Sequence, residues 1–577
     1  MAPTIGDDLR QMDSSITDEK HVDTRQINAA SAALEAAVAQ QKPKLLSPNM
    51  LRLYVIMGIG YLVSTMNGFD SSLMGAINAM KPYQETFGLD GAGSTTGIIF
   101  VIYQIGQIVS FPFCGLIADG WGRRWCIFIG CLIVLVGTAV QGSANQLGQF
   151  IAGRFILGFG ASIASAVGPA YTVELAHPAY RGTMAGMYNN FWWVGNILAG
   201  WTTHIHDSWA WRTPTVVQAG IPTVVLVCIL FMPESPRWLI HHDRAEEALA
   251  IFAKYHGDGD LDSPVVKLQY HEIVEEYQAC RDDNPWWDFR ELVNTRAARY
   301  RLAMVIGMAF FGQWSGNNVV SYFLPEMIAA AGITNVNTQL LINAINPIFS
   351  LLAAVYGATC LDRLGRRPMM LWGLAGSCIF YVLLTAFTAE TAHHPSLSYG
   401  TIVSIYLFGI CFAWGFTPLQ TLYAVECLGN RTRAKGSGLN YLFLNIAIIV
   451  NTFGISVGIQ VIGWRLYVRP TSNRGTPYQT PRVFILPPPH HPNPITPHSV
   501  GNSGDHLLIP SQIVYIGWIV IEMVLIYFFF VETAGKTLEE LADIFEAPNP
   551  RKYSTRKVKL EVTSTGEVIG ISDVHQA

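Results

Sequence analysis

Twelve times along its 577 residues this chain stays apolar for about the twenty residues a helix needs to cross a bilayer. The first six runs lie near 53–78, 96–118, 126–144, 149–172, 184–205 and 214–232. The second six lie near 302–325, 339–360, 369–389, 400–423, 438–462 and 513–531. Soluble helices average about 11–12 residues, so a soluble bundle of buried helices fits these runs poorly. Charge has been removed to make them. Asp, Glu, Lys and Arg supply 14% of the chain, where a soluble domain has about 25%. The net charge of only -4 excludes a nucleic-acid-binding chain. The fold expected is an all-α membrane protein of twelve transmembrane helices in two six-helix, pseudo-symmetric bundles.

The segments between runs set the domains. Residues 1–49 are a polar tail of mixed charge without a cleavable signal, so the first run acts as a retained anchor. Residues 50–232 form the N-terminal bundle, 233–301 a polar helical linker whose charges read as a solvated face, and 302–467 spans 7–11. Residues 513–531 are span 12, and 532–577 a second tail. Between spans 11 and 12 lies 468–512, with ten of the chain's thirty prolines and four histidines. Excising it joins Leu466-Tyr467 to Ile513-Val514. Val468 has codons that begin GT and Gln512 one that ends AG, as in an unspliced intron read in frame. The nine cysteines are scattered without disulfide or metal spacing, so no metal and no cofactor is expected.

Basic residues collect in alternate loops: Arg123 and Arg124, Arg181, the 6–7 linker, Arg363 with Arg366 and Arg367, and Arg431 with Arg433 and Lys435. The positive-inside rule then puts both termini in the cytoplasm. The halves also repeat each other. The 2–3 loop carries Asp119-Gly-Trp-Gly122-Arg123-Arg124, and the 8–9 loop Asp362-Arg-Leu-Gly365-Arg366-Arg367. Spans 4–5 carry Pro169, Tyr171, Glu174 and Arg181; spans 10–11 carry Pro418, Tyr423, Glu426 and Arg433. Such duplication is a transporter architecture.

With Gly68-Phe-Asp70, Gly153-Arg154-x-x-x-Gly158-x-Gly160, Pro233-Glu-Ser-Pro-Arg237, Gln313-Trp-Ser-Gly316-Asn-Asn318 and Glu532-Thr-x-Gly535-Lys, the chain resembles a sugar porter of the major facilitator superfamily over about 51–547. The string Ala253-Lys-Tyr-His-Gly-Asp-Gly-Asp260, with Trp211-Arg-x-Pro214, is similar to the fungal branch of lactose and cellodextrin permeases and hexose transporters. The resemblance implies a monomer in the plasma membrane bilayer that moves a mono- or disaccharide by alternating access with protons. An uncoupled sugar or polyol facilitator and a non-transporting sugar receptor are the alternatives. The 46 residues after span 12 are short for a receptor tail. No Walker loop, nucleophile elbow or zinc motif suggests an enzyme.

Asp70 is ionisable inside a span, which is costly in hydrocarbon and so marks function. At about 1.5 Å per residue, it lies about 25 Å from the cytoplasmic end of span 1. Arg154 lies about 9 Å from the outer end of span 4, so both fall in the outer half of a core about 30 Å thick and can pair. The resemblance makes them the proton-coupling residues. A sugar offers hydroxyls and apolar C–H patches without charge, which suits amides and aromatic faces. Asn189, Asn190, Asn196, Gln313, Asn317, Asn318, Asn343, Asn346, Asn445 and Asn451 cluster in spans, with Trp192, Trp193, Tyr322 and Trp414. The family pattern points to Asn189, Asn196, Gln313, Asn318 and Tyr322 for the substrate, with Asn343 or Asn346 in span 8 and Asn445 or Asn451 in span 11; Asn317 and Trp414 join Asn346 and Asn445 in the substrate set from the amide and aromatic cluster. The family pattern places its span 10 tryptophan on Thr421. It also implies a cytoplasmic latch of Asp119, Arg123, Arg124, Glu174, Arg181 and Glu234 in one half, and Asp362, Arg366, Arg367, Glu426 and Arg433 in the other.

Overall fold

The structure is a computed structural model. It describes residues 46–461 and 505–573, apart from 79, 90–93, 179–180, 204–210, 280–288, most of 319–334 and 391–396, 430–431, and short stretches between 535 and 567. Nine helices among the described residues are long and apolar enough to cross a membrane. They are spans 1 to 4 (Pro48–Asn78, Thr95–Gly120, Arg123–Gly142, Leu147–Leu175), span 6 (Arg212–Ile229), span 8 (Asn337–Leu361), span 9 (Arg366–Thr388), span 10 (Ser398–Cys427) and span 11 (Lys435–Gly454). Helices Arg181–Thr202, Arg296–Trp314 and Asp505–Phe529 occupy the places of spans 5, 7 and 12. Span 5 is diluted by its asparagines, and span 7 begins with Arg296, Arg299 and Arg301. The helix of span 12 starts at Asp505, within the 468–512 segment; 468–504 lie outside the described residues.

Helix ends and breaks follow local chemistry. Thr295 caps span 7 by accepting from Ala298 N at 3.0 Å, and Asn335 caps span 8 by accepting from Asn337 N at 3.0 Å. Span 10 divides into Ser398–Gly415 and Leu419–Cys427 at Pro418, a residue with no N–H to continue the ladder. Span 6 divides into Arg212–Val217 and Gly220–Ile229, which leaves Gln218 at the junction.

Each half has its own core. One is built on Met57, Cys131, Leu157, Ala161 and Tyr171, the other on Met308, Met369, Phe412, Tyr423 and Ile526. Trp193 of span 5 meets Ala354 of span 8 and Ala413 of span 10 where the halves touch. The linker is more than a solvated face. Its helices Pro236–His241, Ala245–Tyr255 and Pro264–Ala279 bury Trp238, Leu239, Phe252, Val266 and Ile273 in a core of their own. After span 12, Leu541, Ile544 and Phe545 join the second half's core, and strands Val558–Val562 and Val568–Asp573 pair as an antiparallel hairpin in the tail.

Spans 1 and 5 cross backbone to backbone. A Cβ on Gly195 would sit 2.0 Å from the Thr65 carbonyl oxygen, and one on Gly68 2.0 Å from that of Trp192. Small residues permit this approach in hydrocarbon. Gly195→Leu is expected to push the helices apart, an overpacking cost of about 1–3 kcal/mol or more. Fluorescence-detected size-exclusion chromatography of solubilised membranes should show the monodisperse peak lost; Gly186→Leu, with open space at its Cβ, should keep it.

Candidate functional site

Asp70 and Arg154 come together in the N-terminal half, both buried. Arg154 Nη1 donates to the main-chain carbonyl of Asp70 at 3.3 Å, and its guanidinium lies 5.0 Å from the centre of the Tyr103 ring. The carboxylate is held by Gln218 Nε2 from the break in span 6, which donates to Asp70 Oδ1. Asp70 Oδ2 has no hydrogen-bond partner among the described residues. Tyr103 in turn donates its hydroxyl to Asn67 Oδ1 at 3.1 Å, and the Asn67 amide donates to Ser165 Oγ. A buried acid with one oxygen held and one open, beside a guanidinium, is a place where a proton can be taken up and released.

Two residues along span 1, Ser72 lines a polar cleft between the halves. The N-terminal half adds Trp193 and Asn196; the C-terminal half adds Asn317, Asn343, Asn346 and Ser350. Among the described residues, no charged side chain lines it. Trp193 Nε1 and Asn346 Oδ1 are buried with no hydrogen-bond partner among the described residues. Unpaired buried polar atoms are expensive. The space between them is about 20 Å³, room for about one water, so a larger hydroxylated ligand reaches them only when the halves part.

The remaining sequence candidates divide. Asn318 Nδ2 donates to Gln313 Oε1 at 3.1 Å, and the Gln313 carbonyl accepts from Asn451 Nδ2 at 2.7 Å, so these brace one another behind the break after span 7. Asn189 Nδ2 donates to the Thr417 carbonyl at 2.7 Å, a bond between the halves at the span 10 break. Asn445 donates to the Tyr441 carbonyl of its own helix at 2.9 Å. Trp414 is half-buried with its indole N–H unpartnered among the described residues, and Thr421 is exposed. None of these six lines the cleft. Tyr322 lies outside the described residues.

The charges around the 2–3 and 8–9 loops form two copies of one arrangement, each within its own half. Arg123 Nε is 3.6 Å from Glu174 and its Nη1 3.5 Å from Asp119; Arg366 Nη2 is 2.9 Å from Glu426. Arg123 also donates to the Ala118 carbonyl at 3.0 Å, and Arg366 to that of Leu361 at 3.3 Å. Glu234 accepts from the Arg123 and Arg124 main-chain N–H at 3.0 and 3.2 Å, and Glu532 from those of Arg366 and Arg367 at 2.9 and 3.0 Å. Each carboxylate caps the first turn of span 3 or span 9, where free N–H groups and the helix dipole favour a negative charge. Burial pushes the Glu234 carboxyl above its usual range, against the pull of those N–H groups. Gly122 (φ 101°) and Gly365 (φ 86°) turn the chain beside them, and a Cβ would lie 2.5 Å from Glu234 Oε2 and 3.0 Å from Glu532 Oε2. Tyr171 donates to the Pro233 carbonyl at 2.7 Å, as Tyr423 does to that of Val531 at 2.9 Å. The side chains of Arg181, Asp362 and Arg433 lie outside the described residues.

Sequence reasoning overlooked Gln218, Tyr103, Asn67, Ser72 and Glu532. Gln218 had a signal, a lone amide in the apolar run 214–232. Glu532-Thr533 after span 12 matches Glu234-Ser235 after span 6, a third element of the internal repeat.

A family model described as sugar (and other) transporter matches residues 56–484, well over half of the chain. The MFS-type transporter criB of Aspergillus cristatus is 29% identical, over 66% of this chain and 82% of its own. The high-affinity glucose transporter of Kluyveromyces lactis is 27% identical, over 73% and 80%. The probable quinate permease of Aspergillus fumigatus is 25% identical, over 66% and 75%. Among solved structures, the proton:xylose symporter XylE bound to 6-bromo-6-deoxy-D-glucose superposes with a TM-score of 0.64 at 19% identity, over 86% of this chain and 100% of that one. That likeness is one of fold.

The two carboxylate caps are open to test. Glu532→Gln keeps the shape but leaves an amide N–H facing a main-chain N–H, and forfeits charged hydrogen bonds of about 1.5–3 kcal/mol. A lower apparent melting temperature in detergent is expected, and Glu234→Gln should lower it similarly.

Proposed function

The chain belongs to the sugar transporter family, and on that premise we propose that it is a proton-coupled sugar symporter working by alternating access. The observation that carries this reading is the pairing of two sites on one helix. Span 1 presents Ser72 to an uncharged, amide-lined cleft between the halves and, two residues away, Asp70 to Arg154 and Gln218. The cleft suits a neutral polyhydroxylated solute: its polar groups are amides, hydroxyls and an indole, which hydrogen-bond without demanding a counter-charge. The glucose transporter among its relatives and the xylose symporter of like fold point the same way. Asp70 takes a proton when rearrangement draws it from Arg154 and releases it when they re-form, because a nearby cation favours the carboxylate and burial favours the acid.

In this reading the protein is a plasma-membrane monomer with cytoplasmic termini. Asn196, Asn317 and Asn346 contact the sugar, and Asn343, Ser72, Ser350 and Trp193 complete the cleft. Asn189, Gln313, Asn318 and Asn445 hold the helices that present it, while Thr421 and Tyr322 are sugar contacts by the family resemblance alone, and Trp414 by its place in the aromatic cluster. The cytoplasmic clusters, Asp119, Arg123, Arg124, Glu174, Arg181 and Glu234 with Asp362, Arg366, Arg367, Glu426 and Arg433, fix the inner ends of each half so that the halves rock as units.

Uptake of a labelled mono- and disaccharide panel in transporter-null cells, with and without a protonophore, tests substrate and coupling together. Accumulation should collapse with the protonophore. Asp70→Asn is expected to abolish accumulation while sugar exchange persists; protonophore-insensitive uphill uptake by this variant would refute coupling at Asp70. Asn317→Ala and Asn346→Ala should each raise KM for the transported sugar about tenfold, the loss of about 1.4 kcal/mol, with little change in protein abundance.

A further inference from the structure

The turn 256–260 of the linker is the part of the 253–260 string that transport has not used. It closes the helix Ala245–Tyr255 and folds back on the cytoplasmic ends of spans 1 and 4. The His256 side chain is buried there. Its Nε2 lies 3.1 Å from the carbonyl oxygen of Leu175, the last residue of span 4. A carbonyl only accepts, so Nε2 carries the hydrogen. Its Nδ1 is 2.6 Å from Gln269 Oε1, on the next linker helix; a neutral ring with its hydrogen on Nε2 needs that amide turned so that its N–H₂, unpartnered among the described residues, donates to Nδ1. The ring packs edge-to-face against buried His177, just beyond span 4, with centroids 5.3 Å apart, and against Phe252 at 5.3 Å. One imidazole thus ties two linker helices to one span.

The rest of the turn reaches span 1. Asp258 Oδ1 accepts from Asn49 Nδ2 at 3.2 Å, at the start of that helix. Tyr255 packs into the core of the N-terminal half. The chain can turn this tightly only with glycine at 257, where a Cβ would fall 2.4 Å from the Asp260 carbonyl oxygen. Nearer the linker's start, Trp238 Nε1 donates to the Asp119 carbonyl of span 2 at 2.9 Å.

We infer that His256 is a positioning residue: it pins the linker across the cytoplasmic ends of spans 1 and 4, the helices that carry Asp70 and Arg154, and so keeps those ends in register while the parts of the helices around Asp70 and Arg154 separate and re-form. Only the transport readout below rests on the symport reading, because docking of the turn can be measured without it. A pin on the far ends of the two helices governs how they separate and re-form and leaves the sugar cleft untouched. Loss of the pin therefore slows the cycle and spares sugar affinity.

The test pairs a docking measurement with transport. Asn49→Cys and Asp258→Cys are introduced together in the full-length protein, and bridging by a short, reducible bis-methanethiosulfonate is timed, with the parent treated alike as control. Bridging should be fast, and several-fold slower once His256→Ala is added. His256→Ala should lower the maximal uptake rate about fivefold, the scale of one lost hydrogen bond of about 1 kcal/mol, with sugar affinity within about twofold. The bridge should restore uptake, and reductant should abolish the rescue. His256→Gln, which can still donate to the Leu175 carbonyl, should stay near the parent. If His256→Ala yields no protein, Gly257→Ala disturbs the same turn and should reproduce the slow bridging and slow uptake. Equal bridging rates with and without the imidazole would overturn the inference, as would parental uptake by His256→Ala. A chain that moves no sugar yet shows slowed bridging would overturn the transport reading and leave the pin standing.

Discussion

A backbone in hydrocarbon has to satisfy its own hydrogen bonds, because no water is present to do so. Every architectural feature of this protein follows from that. It forces the chain into helices, and it confines departures from the helix to places where other protein groups line the gap. Three departures matter. Span 6 breaks at Gln218, span 7 ends at Trp314 before the turn at Ser315–Gly316, and span 10 breaks at 416–418. Each sits beside a functional element. Gln218 holds Asp70, Asn317 follows the span 7 break, and Thr417 offers its freed carbonyl to Asn189 across the halves. Where the ladder is interrupted, backbone and amide groups become available for chemistry that an unbroken helix would hide.

The same constraint explains the sorting of charge. Ionisable groups are costly inside the bilayer; Asp70 has Gln218 and the neighbouring Arg154 as company, whereas Glu522 in span 12 is buried with neither oxygen hydrogen-bonded among the described residues. At the span ends charges are cheaper, and there they cap helices. Glu234 and Glu532 each neutralise the first N–H groups of a span while tying it to the segment after the sixth helix of its own half. Each half is therefore closed into a ring at its inner end. Two such rings that share few polar ties can rock against each other as units, which is the motion a two-state carrier needs. The Asn189–Thr417 bond is one tie that such a motion has to break.

Much of this was legible in the sequence because its signals are one-dimensional. Apolar runs have a length, basic loops alternate, and the repeat of Gly122-Arg123 in Gly365-Arg366 is visible by eye. Asp70 and Arg154 were legible as charges that hydrocarbon would not tolerate idly. The amides were harder. Asn317, Asn343 and Asn346 reach the cleft, whereas Asn318 and Asn445 bond within their own spans and Asn451 reaches across to span 7, and all six look alike in a helical run. Which way an amide points depends on helix rotation, and rotation is set by contacts such as Gly68 on Trp192 and Gly195 on Thr65. Gln218 was missed for the related reason that its partner lies 148 residues away. The linker was misjudged because its core, Trp238 with Phe252 and Val266, is assembled from short helices whose individual patterns are weak.

Coupling between proton and sugar needs no long pathway if both sites share a rigid element. Ser72 and Asp70 are two residues apart on span 1, which places their side chains roughly 200° apart around a helix of 3.6 residues per turn. One looks into the cleft and the other toward spans 4 and 6. In the proposed symport cycle, a rotation or tilt of span 1 that closes the cleft over a sugar also moves Asp70 relative to Arg154. Span 1 is free to move only as its neighbours permit, and those are span 5, gripped through Gly68 and Gly195, and span 4, which carries the arginine. A ligand that binds one arrangement of span 1 better than the other shifts the proton equilibrium by that same differential affinity, and the proton shifts the ligand equally. The reciprocity requires only that the helix be stiff between residues 70 and 72, and an unbroken span from Pro48 to Asn78 is stiff there.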